Sequence, residues 1–153
     1  MHRRNFLLSA TALGLLPGFA LAEESFEITL TEAEWREKLG ELAFRVLREE
    51  ATERPGSNRL DKETREGTYS CAGCALPVFS SATKYDSGTG WPSFWDPLPD
   101  AIRTRDDSGL LGTRTEVHCR RCGGHFGHVF NDGPEPTGLR YCMNGAALAF
   151  KVA

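Results

Sequence analysis

The stretch "TRTEVHCRRCGGHFGHVF", Thr113 to Phe130, decides the fold. TRTEVHC alternates with the period of two that a strand imposes on its side chains. Cys119 and Cys122 then make a C-x-x-C that runs into Gly123 and Gly124, a turn signal, and FGHVF is a second strand candidate. Downstream, GLRYCMN (Gly138 to Asn144) is a third, and DSGTGWP, DDSG and NDGPEPTG supply turns between such segments. From Thr68 onward the chain reads as short strands and turns.

Upstream the pattern changes. TEAEWREKL opens with Thr31 and Glu34 at capping-box spacing, with Trp35 and Leu39 on one face. Gly40 breaks the run, and ELAFRVLREE continues with Leu42, Ala43, Val46 and Leu47 on one face. Two short helices follow, packed on the domain as structural cover. Ala51 to Gly67 is polar, holds Pro55, Gly56 and Asn58, and reads as an ordered surface loop. The expected fold is mainly β with short N-terminal helices. At 153 residues the chain is one domain's worth, large enough to bury a core without disulfides. Its 40% apolar and 25% charged residues place it among ordinary soluble globular proteins.

The first 22 residues stand apart. Arg3 and Arg4 precede an apolar run that ends in Ala20-Leu21-Ala22, the layout of a cleaved signal peptide. The run holds Ser9, Thr11, Gly14, Pro17 and Gly18, a poor composition for a membrane span. The adjacent arginines before Asn5, Phe6 and Leu7 favour the twin-arginine route over a general secretory one. The expectation is residues 1–22 removed and residues 23–153 as one catalytic domain, exported to a bacterial periplasm with no stable membrane association. Losing Arg3 and Arg4, and no acidic residue, takes the formal charge from −3 to −5. That acidic balance argues against nucleic-acid binding.

Four of five cysteines pair as Cys71/Cys74 and Cys119/Cys122. Two C-x-x-C turns together suit a tetrahedral four-sulfur site for Zn²⁺, structural because it leaves no open position. Two disulfides, or one redox-active C-x-x-C, are the competing readings. His118, beside Cys119, is expected to face solvent.

Cys142 is the cysteine left over. On a strand it shares a face with Arg140 and Asn144, a cation and an amide beside a thiol. A neighbouring positive charge favours the nucleophilic thiolate. His125 and His128 can donate a proton near neutral pH. GTGWPSFW supplies Trp91, Phe94 and Trp95, the makings of an apolar wall.

The runs YSCAGCALPVFSSATKYDSGTGWPSFWDP and TEVHCRRCGGHFGHVFNDGPEPTGLRYCMN resemble the B-type methionine sulfoxide reductases, which reduce the R epimer. The resemblance extends over nearly the whole chain after residue 22, through the EWREKL and TERPGS segments. It implies two antiparallel sheets with small helices alongside, and Cys71, Cys74, Cys119 and Cys122 as ligands of one structural zinc. It implies Cys142 as nucleophile and Trp91 as the aromatic that holds the substrate methyl group. His125, His128, Asp132, Arg140 and Asn144 match polar residues around the sulfoxide, the histidines as proton-donor candidates and the rest orienting. The implied substrate is methionine-R-sulfoxide in peptides or proteins. Many members carry cysteine where Thr89 stands; that cysteine resolves the sulfenic acid as a disulfide. With threonine there, the expected cycle uses Cys142 alone, and a thioredoxin-like protein or a small thiol must reduce it.

Overall fold

The computed structural model describes residues 24–109 and 112–153. The expected signal segment lies outside them. Among the described residues no helix is long and apolar enough to cross a membrane.

Two helices open the described chain, α1 (Glu32–Leu39) and α2 (Glu41–Glu49). The capping box forms as the sequence predicts: Glu34 N–H donates to Thr31 Oγ1 at 3.3 Å, and Thr31 N–H donates to the Glu34 carboxylate at 2.8 Å. Trp35 is the residue α1 buries. In α2 the buried residues are Phe44, Val46 and Leu47, while Leu42 stands out in solvent. This corrects the expected stripe. At about 100° per residue Leu42 lies about 140° round the helix from Leu47, whereas Phe44 lies only about 60° away.

The strands are β1 (Gly67–Cys71), β2 (Pro77–Ser80), β3 (Lys84–Tyr85), β4 (Ser93–Phe94), β5 (Ile102–Gly109), β6 (Gly112–Cys119), β7 (His125–Phe130), β8 (Arg140–Met143) and β9 (Leu148–Val152). They form a three-stranded sheet, β2-β1-β9, and a six-stranded sheet, β3-β4-β8-β7-β6-β5. Every pairing is antiparallel, so the mainly β fold with two antiparallel sheets and short helices is as expected. The opening stretch becomes β6, a turn at Cys119–Gly124, and β7.

The sheets meet through aromatic rings. Phe79 of the small sheet stacks on Phe94 of the large one at 4.3 Å between centroids, and Tyr69 meets Phe94 edge-on at 4.9 Å. All three rings are fully buried. Phe94 therefore belongs to the core and not to the apolar wall expected from its neighbours. His118 is also corrected: it is 1% exposed, hydrogen-bonded through Nε2 to Glu24 at 3.1 Å and packed edge-on to Phe26. The N-terminal segment covers a face that the sequence leaves open.

Ala51–Gly67 does more than line the surface. It contains a 3-10 turn at Arg59–Lys62 and the buried Glu53. Both Glu53 carboxylate oxygens accept backbone N–H groups, from Gly145 at 2.5 Å and Ala146 at 3.0 Å. A loop that satisfies one buried and one half-buried backbone N–H ties the chain after β8 to the chain after α2.

Candidate active site and cysteine cluster

Cys71 ends β1 of the small sheet, and Cys119 ends β6 of the large one. Each C-x-x-C is closed by backbone hydrogen bonds, Ala75 N–H to Cys71 carbonyl at 2.8 Å and Gly123 N–H to Cys119 carbonyl at 2.9 Å. The four sulfurs lie within 4.8 Å of one another, with Cys71–Cys122 at 3.7 Å and Cys74–Cys119 at 3.5 Å. These are not disulfides, whose sulfurs sit about 2 Å apart. A tetrahedron of thiolates around an ion at about 2.3 Å has edges of about 3.8 Å, close to both distances. The donor set and spacing fit a structural metal ion. The Cys71 thiol is pushed up by hydrogen bonding with Cys119 and its other neighbours, and by burial. Buried sulfurs crowded this closely need a cation before all four can ionise.

Cys142 lies apart, half-buried on β8. Across the sheet its register partners are Ser93 on β4 and His128 on β7. It lines a cavity of about 140 Å³ with Thr52, Trp91, Arg114, Gly127, His128, Phe130 and Asn144. The indole N–H of Trp91 donates to the Glu53 carbonyl at 3.1 Å, which fixes the ring at one wall. Gly127 sits at φ +155°, and a Cβ there would collide with the Cys142 carbonyl.

His128 Nε2 meets Asp107 Oδ2 at 2.7 Å. A carboxylate only accepts, so Nε2 carries the proton and Nδ1 is the nitrogen free to exchange one. Burial lowers the His128 pKa, with the Asp107 hydrogen bond opposing. The Asp107 carboxyl is held down by the bonds from His128 and Arg114. His125 is 3% exposed and donates through Nδ1 to Glu116 at 2.7 Å, with its ring 5.4 Å from that of His128. Burial alone would raise the Glu116 carboxyl, but bonds from His125 and Arg105 outweigh it and hold it down.

The structure thus brings Cys142, Trp91, His128 and Asn144 to one cavity and puts His125 behind them. Asn144 lies beyond the end of β8 and is buried, its amide donating to Phe126 carbonyl and accepting from Glu53 N–H, each at 2.9 Å. It lies one residue past β8 yet lines the cavity with Cys142, as its spacing predicts, whereas Arg140 does not. Arg140 makes a two-point pair with Asp132 at 2.8 Å, and its guanidinium lies over the Phe130 ring at 4.4 Å. Arg140 and Asp132 line a neighbouring groove with Tyr85, Ser87 and Thr89. Glu53, Glu116 and Asp107 are supports that the sequence reading misses. The alternation in TRTEVHC places Glu116 on a face, but only the β6–β7 register sets it opposite His128.

A half-buried thiol in a small cavity walled by Trp91 and Phe130 with His128 and Asn144 beside it, on a β scaffold joined by a four-cysteine cluster, is the layout of a thiol-dependent enzyme. The SelR domain model matches residues 39–152. The peptide methionine sulfoxide reductase MsrB of Leptospira interrogans is 46% identical over 128 residues, covering 83% of this chain and 98% of its own. Those of Agrobacterium fabrum (47% identical; 82% of this chain, 93% of its own) and Pseudomonas putida (52%; 82% and 95%) are similar over comparable spans. The chain belongs to the B-type methionine sulfoxide reductases and is an oxidoreductase of that kind.

Proposed function

We propose that this chain reduces the R epimer of methionine sulfoxide, mainly in peptides and proteins, with Cys142 as nucleophile and an external thiol as reductant. One observation carries the reading. Cys142 is the cysteine outside the cluster, half-buried in a cavity with the anchored Trp91 ring on one wall and His128 directly across the sheet.

The Cys142 thiolate gives an electron pair to the sulfoxide sulfur, the oxygen takes a proton, and the S–O bond breaks. One oxygen atom passes to Cys142. The methionine sulfur is reduced by two electrons and the cysteine becomes a sulfenic acid. Of the two histidines, His128 is the proton donor we assign: it lines the cavity, Nε2–H stays on Asp107, and Nδ1 takes up a proton from solvent and passes it to the sulfoxide oxygen. Such donation is worth roughly 10²–10⁴ in rate. His125 positions it from behind. The epimers exchange oxygen and lone pair, so an apolar wall on one side and a donor on the other distinguishes them. Arg140, held by Asp132, places a fixed cation near the sulfur, and Asn144 fixes the chain that follows it.

Thr89 offers no thiol, and the other cysteines belong to the cluster. An outside thiol therefore attacks the sulfenic sulfur, water leaves, and a second thiol releases Cys142 with a disulfide as by-product. A thioredoxin-like protein or a small thiol fits this step. Zn²⁺ is the ion we assign to Cys71, Cys74, Cys119 and Cys122, where it supplies structure and no chemistry. We further assign residues 1–22 to a cleaved export signal and the enzyme to the periplasm. Fractionation with and without a working twin-arginine translocase tests that assignment.

The test of activity is an epimer-resolved assay on a blocked methionine sulfoxide with dithiothreitol. Consumption of the R epimer alone, lost in Cys142→Ser, is expected. Consumption of neither epimer by zinc-loaded protein overturns the proposal, as does equal consumption of both.

A further inference from the structure

We infer that Thr89, Ser87 and Ser93 form a reversible hydroxyl relay that sets how readily the Cys142 sulfur ionises. The inference rests on Cys142 being the attacking sulfur. Thr89 Oγ1 lies 3.8 Å from Cys142 Sγ, Ser87 Oγ lies 2.9 Å from Thr89 Oγ1, and Ser93 Oγ lies 2.7 Å from Ser87 Oγ. The far end is anchored: Ser93 O–H donates to the Trp91 carbonyl at 3.3 Å. Ser93 is fully buried. Among the described residues, no other side-chain hydrogen bond reaches Cys142 Sγ. His128, Arg140 with Asp132, Tyr85 and Arg114 are the titratable and charged groups around it.

The anchor fixes the direction of the chain. A carbonyl only accepts, and each hydroxyl has one proton to give. With Ser93 committed to Trp91, Ser87 donates to Ser93, Thr89 donates to Ser87, and Thr89 Oγ1 shows a lone pair to Cys142. That polarity suits the S–H form. Ionisation needs the opposite arrangement, in which Ser93 donates to Ser87, Ser87 to Thr89, and Thr89 to S⁻. The thiol proton leaves to water in the cavity, and three hydroxyls rotate without any bond between heavy atoms forming or breaking. The only contact given up is Ser93 to Trp91, the longest oxygen–oxygen contact of the relay. A residue at the place of the family's resolving cysteine thereby becomes a positioning residue for the nucleophile.

The relay predicts effects of opposite sign. Thr89→Val removes the donor to the thiolate, a charge-assisted bond. Ser93→Ala and Ser87→Ala remove the restraint that turns Thr89 away from the sulfur. Alkylation of Cys142 by iodoacetamide is followed by mass spectrometry of its peptide, across pH, in zinc-loaded full-length protein without sulfoxide. Thr89→Val should slow alkylation at neutral pH by about fivefold to tenfold and move the profile to higher pH, with Thr89→Ser restoring it. Ser87→Ala, at a half-exposed loop site, and Ser93→Ala should move it to lower pH. An unchanged profile in Thr89→Val, no rescue by serine, or an upward move in Ser87→Ala overturns the relay. No sulfoxide is present, so this outcome is separate from that of the nucleophile assignment, which turnover of Cys142→Ser tests.

Discussion

Two thiol environments meet at the large sheet, one bridging from it to the small sheet and one on its strand β8, and they differ in what each sulfur faces. Around Cys71, Cys74, Cys119 and Cys122 the sulfurs face one another, all are buried, and the flanking carbonyls of Cys122 and Cys74 accept from Arg48 at 2.9 Å and Arg121 at 3.4 Å. Around Cys142 the sulfur faces a cavity and one hydroxyl. β7 joins the two regions, leaving the second C-x-x-C turn at His125 and passing Cys142 at His128. The residue type is the same in both places. Closure by other sulfurs suits a metal staple, and an open side suits the nucleophile we propose.

The strongest way to break this contrast is at the cluster. Cys119→Ser removes one ligand from a site that joins the two sheets. Structural Zn²⁺ sites carry on the order of 10 kcal/mol of folding free energy, comparable to a domain's whole stability. The variant is expected to lose its metal and its cooperative melting transition, and chelation of the wild type should do the same. Calorimetry with a metal assay checks this; a metal-free chain that melts at the wild-type temperature sinks the staple.

The converse belongs to Cys142. Cys142→Ser should lose reductase activity by more than about 10³-fold while its melting temperature stays within about 2 °C, because a half-buried one-atom change costs little. The metal content should be unchanged. A large loss of stability would erase the distinction between the two environments.

A smaller effect sharpens the link between them. Glu53 holds both amides after Asn144 and, through its carbonyl, the Trp91 indole. In Glu53→Gln one of those N–H groups faces an NH₂ instead of an acceptor. The expected cost is about 1–3 kcal/mol, read as a melting temperature lower by several degrees. A variant as stable as wild type would show that Glu53 is not a support.

Much of the site was legible because its signals are local. Each C-x-x-C brings two ligands together within one turn, and Thr31 with Glu34 makes its cap three residues apart. What could not be read depends on register and on distant chain. Glu53 reaches Gly145 across 92 positions, and Glu24 reaches His118 across 94. The face expected for Arg140, Cys142 and Asn144 is kept only in part: Cys142 and Asn144 line one cavity, while Arg140 lines the neighbouring groove, paired with Asp132 eight residues away.

The smallest expected effect is in the pH dependence of stability at His128. Burial holds its folded pKa below the ordinary value of 6.5. As pH falls through 6.5 the unfolded chain takes a proton that the folded one refuses. The unfolded state then binds more protons, and stability must fall with falling pH until folded His128 itself protonates. Asp107 acts in the same direction lower down: its folded carboxyl is depressed, so its contribution is present above the ordinary value of 3.8 and is lost as pH falls through the folded one. Metal-binding thiolates also take up protons in acid, so the difference between two proteins isolates the histidine better than the wild-type curve alone. The difference between wild type and His128→Gln serves, because the cluster is common to both. That difference should narrow as pH drops from about 7 toward about 5, since only the wild type loses stability to histidine protonation. A difference that widens on acidification would mean that the folded site welcomes the proton, and Asp107 would then outweigh burial around the ring that we assign as donor.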